Sequence, residues 1–516
     1  MKELTSNQQK ALKKLDDEIQ NDIQIAKEMA KCGKLLDLIY FVYNLKTVRL
    51  RGIYLEDTGD TNSLFKTTSN LLEEAFKYII QLLVKFFSPE IVTEKESNKP
   101  IVNFKLTQAL INQCILINSK YESQSIIQLF DVDLLDKDAK KFKIDMNDAS
   151  TDEDVKKFLD YYIRIDRDNN IKKNSKQKKD DLIRNFKDEY EPVKELFEKA
   201  LKITLDEFCD FILWFLNRSK DEIENAKSKF EYLENGNIND QSLQTMIAFI
   251  PSFLVGENDL IIKFGAKYST IIELLTFNTE MYDEKQLRYH LITRSPLIKI
   301  NKFYIVSPEL LLDSLFTNIH YSLLESSSVK EEYKAKQASL FLDKIASIAY
   351  PYGYTEVIRE NDLFEGSKQI GDIDLILKDS KDNYILIEAK NHALPMDVYF
   401  KDLSKTNDHL SSLKNTWEKK VLRRVKHLKA NYRKYSIPPT YQYIVVSRFP
   451  EIISHYSELL ILSISEFEHW LMKERWSNGF SEIIEDFYKI NETDYTKEDL
   501  DALSQANFIF GKFGQE

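Results

Sequence analysis

The sequence predicts a multidomain α+β protein, in which a largely α-helical N-terminal region precedes a C-terminal α/β domain with a central sheet flanked by helices. Two observations support this fold class. The chain has only 12 glycines and 11 prolines in 516 residues, a composition that favours long helices. Apolar residues recur at helical spacing mainly before residue 290, whereas short Ile, Leu and Val runs typical of strands lie after residue 350.

Composition and turn signals divide the chain into three predicted regions. Residues 1–165 form a helical N-terminal region, and 180–328 form a helical middle region with a small β-hairpin near 296–306. The lysine-rich segment 164–180 between them is predicted to be a flexible loop or a domain boundary, because it is dense in charge and poor in apolar residues. Residues 329–516 form the C-terminal domain with a helical extension.

The helical regions contain amphipathic stretches and one explicit start signal. Ser307, Pro308 and Glu309 provide an N-cap, a first-turn proline and an early acid for a helix over 309–324. The other predicted helices cover 7–43, 69–87, 180–201, 206–217 and 242–254.

The C-terminal domain is predicted to alternate helices and strands. Its elements are a helix over 335–349, strands over 355–359, 371–377 and 384–387, a helix over 413–435, strands over 441–446 and 459–464, and a helix over 466–473.

Two carboxylates and one lysine are predicted to converge on adjacent strands of this domain. The polar residues 378–383 form a turn between the strands, so antiparallel pairing would bring Asp374 close to Glu388. Lys390 follows Glu388 by two positions and therefore points to the same face, whereas Ala389 points to the opposite one. Oxygen ligands of this kind suit Mg²⁺ or Mn²⁺, which would activate a water for phosphodiester hydrolysis. The lysine would orient or deprotonate that water, or stabilise the charge on the phosphate.

Asp374 followed by Glu388-Ala389-Lys390 resembles the PD-(D/E)xK nuclease superfamily, which has the restriction-endonuclease-like fold with a central mixed sheet. The preceding Gly371-Asp372 is similar to the variant motif of Mrr-like restriction enzymes and archaeal-type Holliday-junction resolvases. The resemblance covers residues 331–473. It implies a Mg²⁺-dependent deoxyribonuclease, a phosphodiesterase that leaves 5′-phosphate and 3′-hydroxyl ends, with Asp374, Glu388 and the Ala389 carbonyl as metal ligands and Lys390 as the catalytic lysine. Asp372 would be an accessory acid.

One position departs from the family pattern. Many members carry a glutamate after a phenylalanine in the first helix, but here Leu342 follows Phe341. Asp343 or Gln337 in the same helix, or Glu356 in the next strand, could take its place. His392 is a further accessory candidate, because it would share a face with Lys390 if the strand continued, although a histidine at such a place is more often a loop residue.

The helix over 413–435, called the basic helix below, is a candidate surface for nucleic acid. It carries nine cationic residues and only Glu418 as an acid, in a chain of formal net charge −11. The alternative is a solvated helix face with a buried apolar stripe. The residues predicted to bind nucleic acid are Lys419, Lys420, Arg423, Arg424, Lys426 and Lys429.

Several other classes of protein are excluded by missing motifs. The three cysteines, Cys32, Cys114 and Cys209, are far apart and indicate neither a zinc site nor a disulfide framework. The sequence has no glycine-rich phosphate loop, so a partner protein would have to supply any ATPase or sensing activity. No apolar run is long enough to span a bilayer, so we expect a cytoplasmic protein with no membrane partner.

The sequence therefore favours a metal-dependent DNA endonuclease, with DNA as its partner. Large helical regions fused to this nuclease class are common in bacterial restriction and anti-phage defence, so the helical region is expected to regulate the enzyme, form homo-oligomers or sense a trigger. The alternative is a catalytically weakened nuclease fold that binds nucleic acid or serves in assembly. A third hypothesis is a helical interaction scaffold whose nuclease domain cuts RNA or branched DNA.

Overall fold

The computed structural model describes residues 4–45, 63–90, 102–135, 142–145, 153–173, 179–230, 250, 253–280, 282, 291–392, 394–395, 398, 401–473 and 479–488. The chain forms two compact units. The sheet unit contains Met1–Leu12, Gln124–Lys176 and Lys334–Glu516, and the helical unit contains Lys13–Ser123 and Gln177–Tyr333. These units alternate along the chain, whereas the sequence predicts three consecutive regions.

The helical unit combines helices with one small sheet. Strands β4 (Leu297–Ile300) and β5 (Phe303–Val306) form an antiparallel hairpin where the sequence predicts one, and β3 (Leu254–Gly256) pairs with β5. The Ser307 hydroxyl accepts a hydrogen bond from the Leu310 amide, as expected for an N-cap. The helices of this unit, including two that begin or end outside it, are Ser6–Lys31, 35–45, Ser63–Phe86, Phe104–Leu129, Lys179–Tyr190, Lys194–Leu201, Leu205–Phe230, Glu257–Phe264, Ser269–Leu275, Leu291–Arg294 and Pro308–Glu325. The predicted helix over 242–254 falls largely outside the described residues.

A five-stranded mixed sheet, with strand order β10-β9-β8-β7-β6, organises the sheet unit. The strands are β6 (Thr355–Glu365), β7 (Lys368–Lys378), β8 (Tyr384–Lys390), β9 (Tyr441–Ser447) and β10 (Leu460–Ser463). β7 pairs antiparallel with β6 and β8, whereas β9 pairs parallel with β8 and β10. A separate two-stranded sheet joins β1 (Asp131–Leu134) to β2 (Phe142–Asp145). The α+β class is confirmed, and the C-terminal region contains a mixed sheet.

Helices cover both faces of the five-stranded sheet. On one face, helices Lys330–Ala349, Ile464–Met472 and Phe480–Tyr488 pack on Leu375, Ile387 and their neighbours. On the other face, helices Glu153–Lys173 and Leu403–Ser412 and the basic helix pack on Ile376, Leu386 and Val445. The basic helix consists of a π-helical turn, Leu413–Glu418, an α-helix, Lys419–Asn431, and a 3-10 turn, Tyr432–Tyr435.

The prediction of a flexible loop over 164–180 is wrong for 164–173, which belong to the helix Glu153–Lys173, and for 179–180, which begin the helix Lys179–Tyr190. The alternative prediction of a boundary agrees with the division of the chain between Lys176 and Gln177. Residues 174–178 lie outside the described part of the chain. Arg164 is fully buried, and its guanidinium donates to both carboxylate oxygens of Glu466, at 2.8 and 2.9 Å, and to the Ser454 hydroxyl at 2.7 Å. The first charge of the predicted loop, Arg164, is therefore paired inside the sheet unit.

Within the described residues, the chain has no helix with the length and apolar character needed to cross a membrane.

Replacing Arg164 with methionine should strongly destabilise the protein, because Glu466 would remain buried with hydrogen bonds from Ser463 and Tyr488 but without a cationic partner. Loss of one member of a buried ion pair costs about 3–5 kcal/mol of unfolding free energy. Urea denaturation of Arg164→Met should show this decrease, whereas Lys378→Met, which breaks the exposed pair with Asp382, should unfold like the parent. Equal stability of the two variants would contradict the structural importance of the buried pair.

Candidate active site

The structure brings Asp374 and Glu388 together, as the sequence predicts. Strands β7 and β8 pair antiparallel with Leu375 opposite Ile387, and Asp374 and Glu388 are the next residues at that end of the pairing, close enough for the charge of Asp374 to raise the pKa of Glu388. The Ala389 amide donates a 2.6 Å hydrogen bond to Oδ2 of Asp374, which fixes the carboxylate against β8. Alternation along β8 then directs Lys390 to the same face as Glu388.

Both carboxyl groups are held in a weakly solvated environment. Burial raises the pKa of Asp374 from its ordinary 3.8 to about 6, although the Ala389 amide acts in the opposite direction. Burial also raises the pKa of Glu388, which is 6% exposed, from 4.5 to about 7, although Arg424 opposes the shift. The charge of Asp374 adds to the rise in the pKa of Glu388, and the charge of Asp372 adds to that of Asp374, because like charges lie close together. The pair would therefore be stabilised by an added positive charge.

Arg424 lies inside this site and not on the surface predicted to bind DNA. Its side chain is 10% exposed; Nη2 donates to Oε1 of Glu388 at 2.8 Å and Nη1 donates to the Asp372 carbonyl at 2.9 Å. The Tyr443 hydroxyl donates to the other oxygen, Oε2, at 3.1 Å. Glu388 is therefore oriented from both sides, and the assignment of Arg424 to DNA contact is corrected.

Gly371 makes this approach of Arg424 sterically feasible. A Cβ atom at Gly371 would lie 2.7 Å from Cδ of Arg424, and the φ angle of +132° is one that other residues rarely adopt. The glycine of the sequence motif thus leaves room for the guanidinium beneath β7.

Lys390 packs against an aromatic side chain supplied by the π-helical turn of the basic helix. Its Nζ lies 4.6 Å from the centre of the Trp417 ring, a distance suited to a cation–π contact. Burial lowers the pKa of Lys390, while the charges of Glu451 and Glu388 act to raise it. π-helical turns of this kind often occur at functional sites.

The two acids predicted as candidates for a third metal ligand, Asp343 and Glu356, are paired with Arg359 and not with the Asp374–Glu388 site. Arg359 binds Oδ1 of Asp343 at 2.7 Å and both carboxylate oxygens of Glu356 at 2.8 Å. Glu356 aligns with Leu377, three residues along β7 from Asp374, which corresponds to about 10 Å. Leu342 is buried in the apolar cluster on the opposite face of the sheet. Gln337 contacts the end of β8 through its main chain, since its carbonyl accepts a 2.9 Å hydrogen bond from Asn391.

A third acid that the sequence analysis missed is Glu360. The flanking pairs Arg359–Leu375 and Asn361–Ile373 place it opposite Asp374, and its charge raises the pKa of that carboxyl. Glu360 has a φ angle of +50° and lies within β6, in a strand that the sequence predicted to end at Arg359. Extending the predicted strand 355–359 by one residue would have included Glu360 among the candidate acids.

The remaining predicted DNA-contacting residues are exposed. They are Lys419, Lys420, Arg423, Lys426 and Lys429. Arg423 forms an ion pair with Glu365, and Lys419 donates a 3.2 Å hydrogen bond to Asn415. The five cationic groups form a surface on the helix that also provides Arg424.

His392 is placed away from the paired carboxylates, in a cluster with His409 and Glu451. Its Nε2 lies 2.6 Å from Oε1 of Glu451. The expectation that it shares the chemistry of Asp374 and Glu388 is therefore not supported by a direct contact.

Comparison with known proteins gives no match: no family model, no curated protein and no solved structure is similar to the chain.

The raised pKa values predict how the metal-free protein responds to pH. A proton binds Glu388 more tightly in the folded state, so stability should decrease as pH rises from about 4.5 to about 7. A pKa shift of this size corresponds to a change in unfolding free energy on the order of 3 kcal/mol. In chelator-treated protein, urea denaturation at pH 5 and pH 8 should show a smaller decrease for Glu388→Gln than for the parent. Identical decreases would contradict the environment described for Glu388.

Proposed function

We propose that the chain is a metal-dependent deoxyribonuclease of the PD-(D/E)xK class, with its active site in the sheet unit. The observation that carries the proposal is the proximity of Asp374 and Glu388 on the paired strands β7 and β8, with Lys390 on the same face as Glu388. The five-stranded mixed sheet flanked by helices is compatible with the restriction-endonuclease-like fold.

The donor set fits a hard divalent cation, Mg²⁺ or Mn²⁺. Asp374, Glu388 and the Ala389 carbonyl would hold it, and Glu360 or Asp372 could supply a further oxygen, directly or through water. Buried, closely spaced carboxylates with raised pKa values are the groups that gain most from such a charge. When bound, the metal would lower the pKa of a water and offset charge on the scissile phosphate.

The protein's own residues would position the reacting groups. The Ala389 amide fixes Asp374, and Arg424 with Tyr443 fixes Glu388. Lys390 would donate from Nζ to the attacking water or to a phosphate oxygen, while the Trp417 ring shields one side of the ammonium from solvent.

DNA would contact the exposed cationic side of the basic helix. Its five exposed lysine and arginine residues provide a local positive charge in a chain of net charge −11. Such contacts neutralise phosphates and release counterions, which favours binding to DNA without reading its sequence. We further propose a role in bacterial restriction or anti-phage defence, in which the helical unit regulates the nuclease, oligomerises or senses a trigger.

A second candidate function is a nuclease fold that binds nucleic acid without cutting it. The contact that favours this alternative is the 2.8 Å ion pair between Arg424 and Glu388, because a guanidinium can supply positive charge in place of a metal. Cleavage assays separate the two functions.

Cleavage of DNA should require a divalent metal and both motif residues. The full chain would be incubated with supercoiled plasmid, linear duplex or single-stranded DNA, in Mg²⁺, Mn²⁺ or EDTA. Asp374→Ala and Lys390→Ala should each reduce cutting by about 100-fold or more. Asp382→Asn, which changes an exposed carboxylate in the turn after β7, should retain the parent's rate.

Cutting that survives Asp374→Ala and Lys390→Ala would contradict the assigned site. Metal-independent DNA binding by a parent that does not cut would favour the binding-module alternative.

The cationic surface should govern affinity and its dependence on salt. Lys426→Ala combined with Lys429→Ala should weaken DNA binding and reduce the slope of log affinity against log salt by about 1 for each phosphate that the variant no longer neutralises. Fluorescence anisotropy over a series of salt concentrations would measure both quantities. Lys336→Ala, on the helix that covers the opposite face of the sheet, is the matched control. An unchanged slope in the double variant would contradict DNA binding through this surface.

A further inference from the structure

We propose that His392, His409 and Glu451 form a second metal site, distinct from the Asp374–Glu388 pair and suited to a transition metal such as Zn²⁺. The three residues come from separate segments of the sheet unit. His392 follows the end of β8, His409 lies in the helix Leu403–Ser412, and Glu451 precedes the 3-10 turn Ile452–His455.

The spacing of the three side chains fits a single ion. Nε2 of His392 lies 2.6 Å from Oε1 of Glu451, and Nε2 of His409 lies 3.1 Å from Oε2. One ligand atom from each residue lies within 4.8 Å of the other two. In a tetrahedral zinc site with bonds of about 2.0–2.1 Å, neighbouring ligand atoms are about 3.3 Å apart. Small side-chain adjustments would therefore bring all three to an ion.

The orientation of His392 is a second, independent observation. Its Nε2 is very close to Glu451, yet within the described part of the chain neither of its buried ring nitrogens has a partner in hydrogen-bond geometry. A buried polar atom without a partner costs about 1–3 kcal/mol. A metal ion would satisfy Nε2, because ligand atoms around an ion point towards the ion and not towards one another.

The charge of the cluster also favours a cation. Glu451 is 2% exposed, so its carboxylate requires a compensating positive charge inside the fold. The nearby guanidinium of Arg164 donates to the main-chain carbonyl of Glu451, while its own carboxylate partner is Glu466. A divalent ion would compensate the Glu451 charge inside the fold.

The ligand types select a metal different from that of the paired carboxylates. Imidazole suits Zn²⁺, Fe²⁺, Ni²⁺ and Cu²⁺, whereas Mg²⁺ prefers oxygen ligands and retains its waters. Two histidines and one glutamate leave at least one coordination position open for water.

Such an ion would also stabilise the surroundings of Lys390. His392 follows Lys390 by two residues, and the helix that carries His409 leads directly into the π-helical turn that carries Trp417. A metal linking these segments would restrict the relative motion of Lys390 and Trp417. The binding itself does not depend on nuclease activity.

Metal analysis of the full chain tests the site directly. Tag-free protein would be stripped with a chelator, exchanged into chelator-free buffer and titrated with Zn²⁺, with bound metal measured by mass spectrometry and thermal stability measured in parallel. We expect one tightly bound Zn²⁺ per chain and a higher melting temperature. Replacement by Co²⁺ should give the visible absorption bands of a low-coordinate site with nitrogen and oxygen ligands.

Three variants and two controls define the ligands. His392→Ala, His409→Ala and Glu451→Gln should each weaken Zn²⁺ binding by at least about 100-fold. His469→Ala should bind like the parent, because His469 contacts the single carboxylate of Asp486. Asp374→Ala should also retain Zn²⁺, which would separate this site from the proposed nuclease centre.

If the protein does not fold with a substitution at the buried Glu451, His392→Ala still tests the site, because His392 is partly exposed and its replacement should leave the fold intact. The proposal would be overturned if the folded parent bound no stoichiometric Zn²⁺, or if His392→Ala and His409→Ala bound it as tightly as the parent.

Discussion

The buried contact between Glu388 and Arg424 is the interaction on which the candidate site depends. It ties the basic helix to the middle of the sheet, and it orients the carboxylate that lies across from Asp374. Gly371 provides the space for the guanidinium under β7. A buried ion pair of this kind adds little net stability compared with apolar packing, but removing either member would leave an uncompensated charge. The basic helix therefore orients Glu388 through its buried Arg424 and presents its other cations to solvent on the opposite side.

A second buried pair explains why an early part of the chain belongs to the sheet unit. Arg164 binds Glu466 at the start of helix Ile464–Met472, so helix Glu153–Lys173 contributes a charge and an apolar face to the core around the sheet. The sheet unit is consequently larger than the 331–473 segment that carries the family resemblance.

Local patterns predicted the strand pairing and the positions of Asp374, Glu388 and Lys390, because strand alternation and a polar turn depend on neighbouring residues. Other features depend on distant contacts. The charge-dense segment beginning at Arg164 suggested a loop, since the buried partner Glu466 is remote in sequence. Glu360 was missed because the strand was predicted to end at Arg359, whereas β6 continues to Glu365. Arg424 was assigned to the surface with the other cations of its helix, although it lies between Val421 and Leu428 on the buried side that faces the sheet. The partners of His392 lie in separate elements, which no local spacing rule connects.

The central claim is that Asp374, Glu388 and the Ala389 carbonyl hold a divalent metal. The most direct measurement is anomalous diffraction from crystals of the chain soaked in Mn²⁺. The account predicts an anomalous peak bonded to oxygens of all three residues at about 2.1–2.2 Å. Full Mn²⁺ exposure with no peak there, and with Arg424 still bound to Glu388, would contradict it.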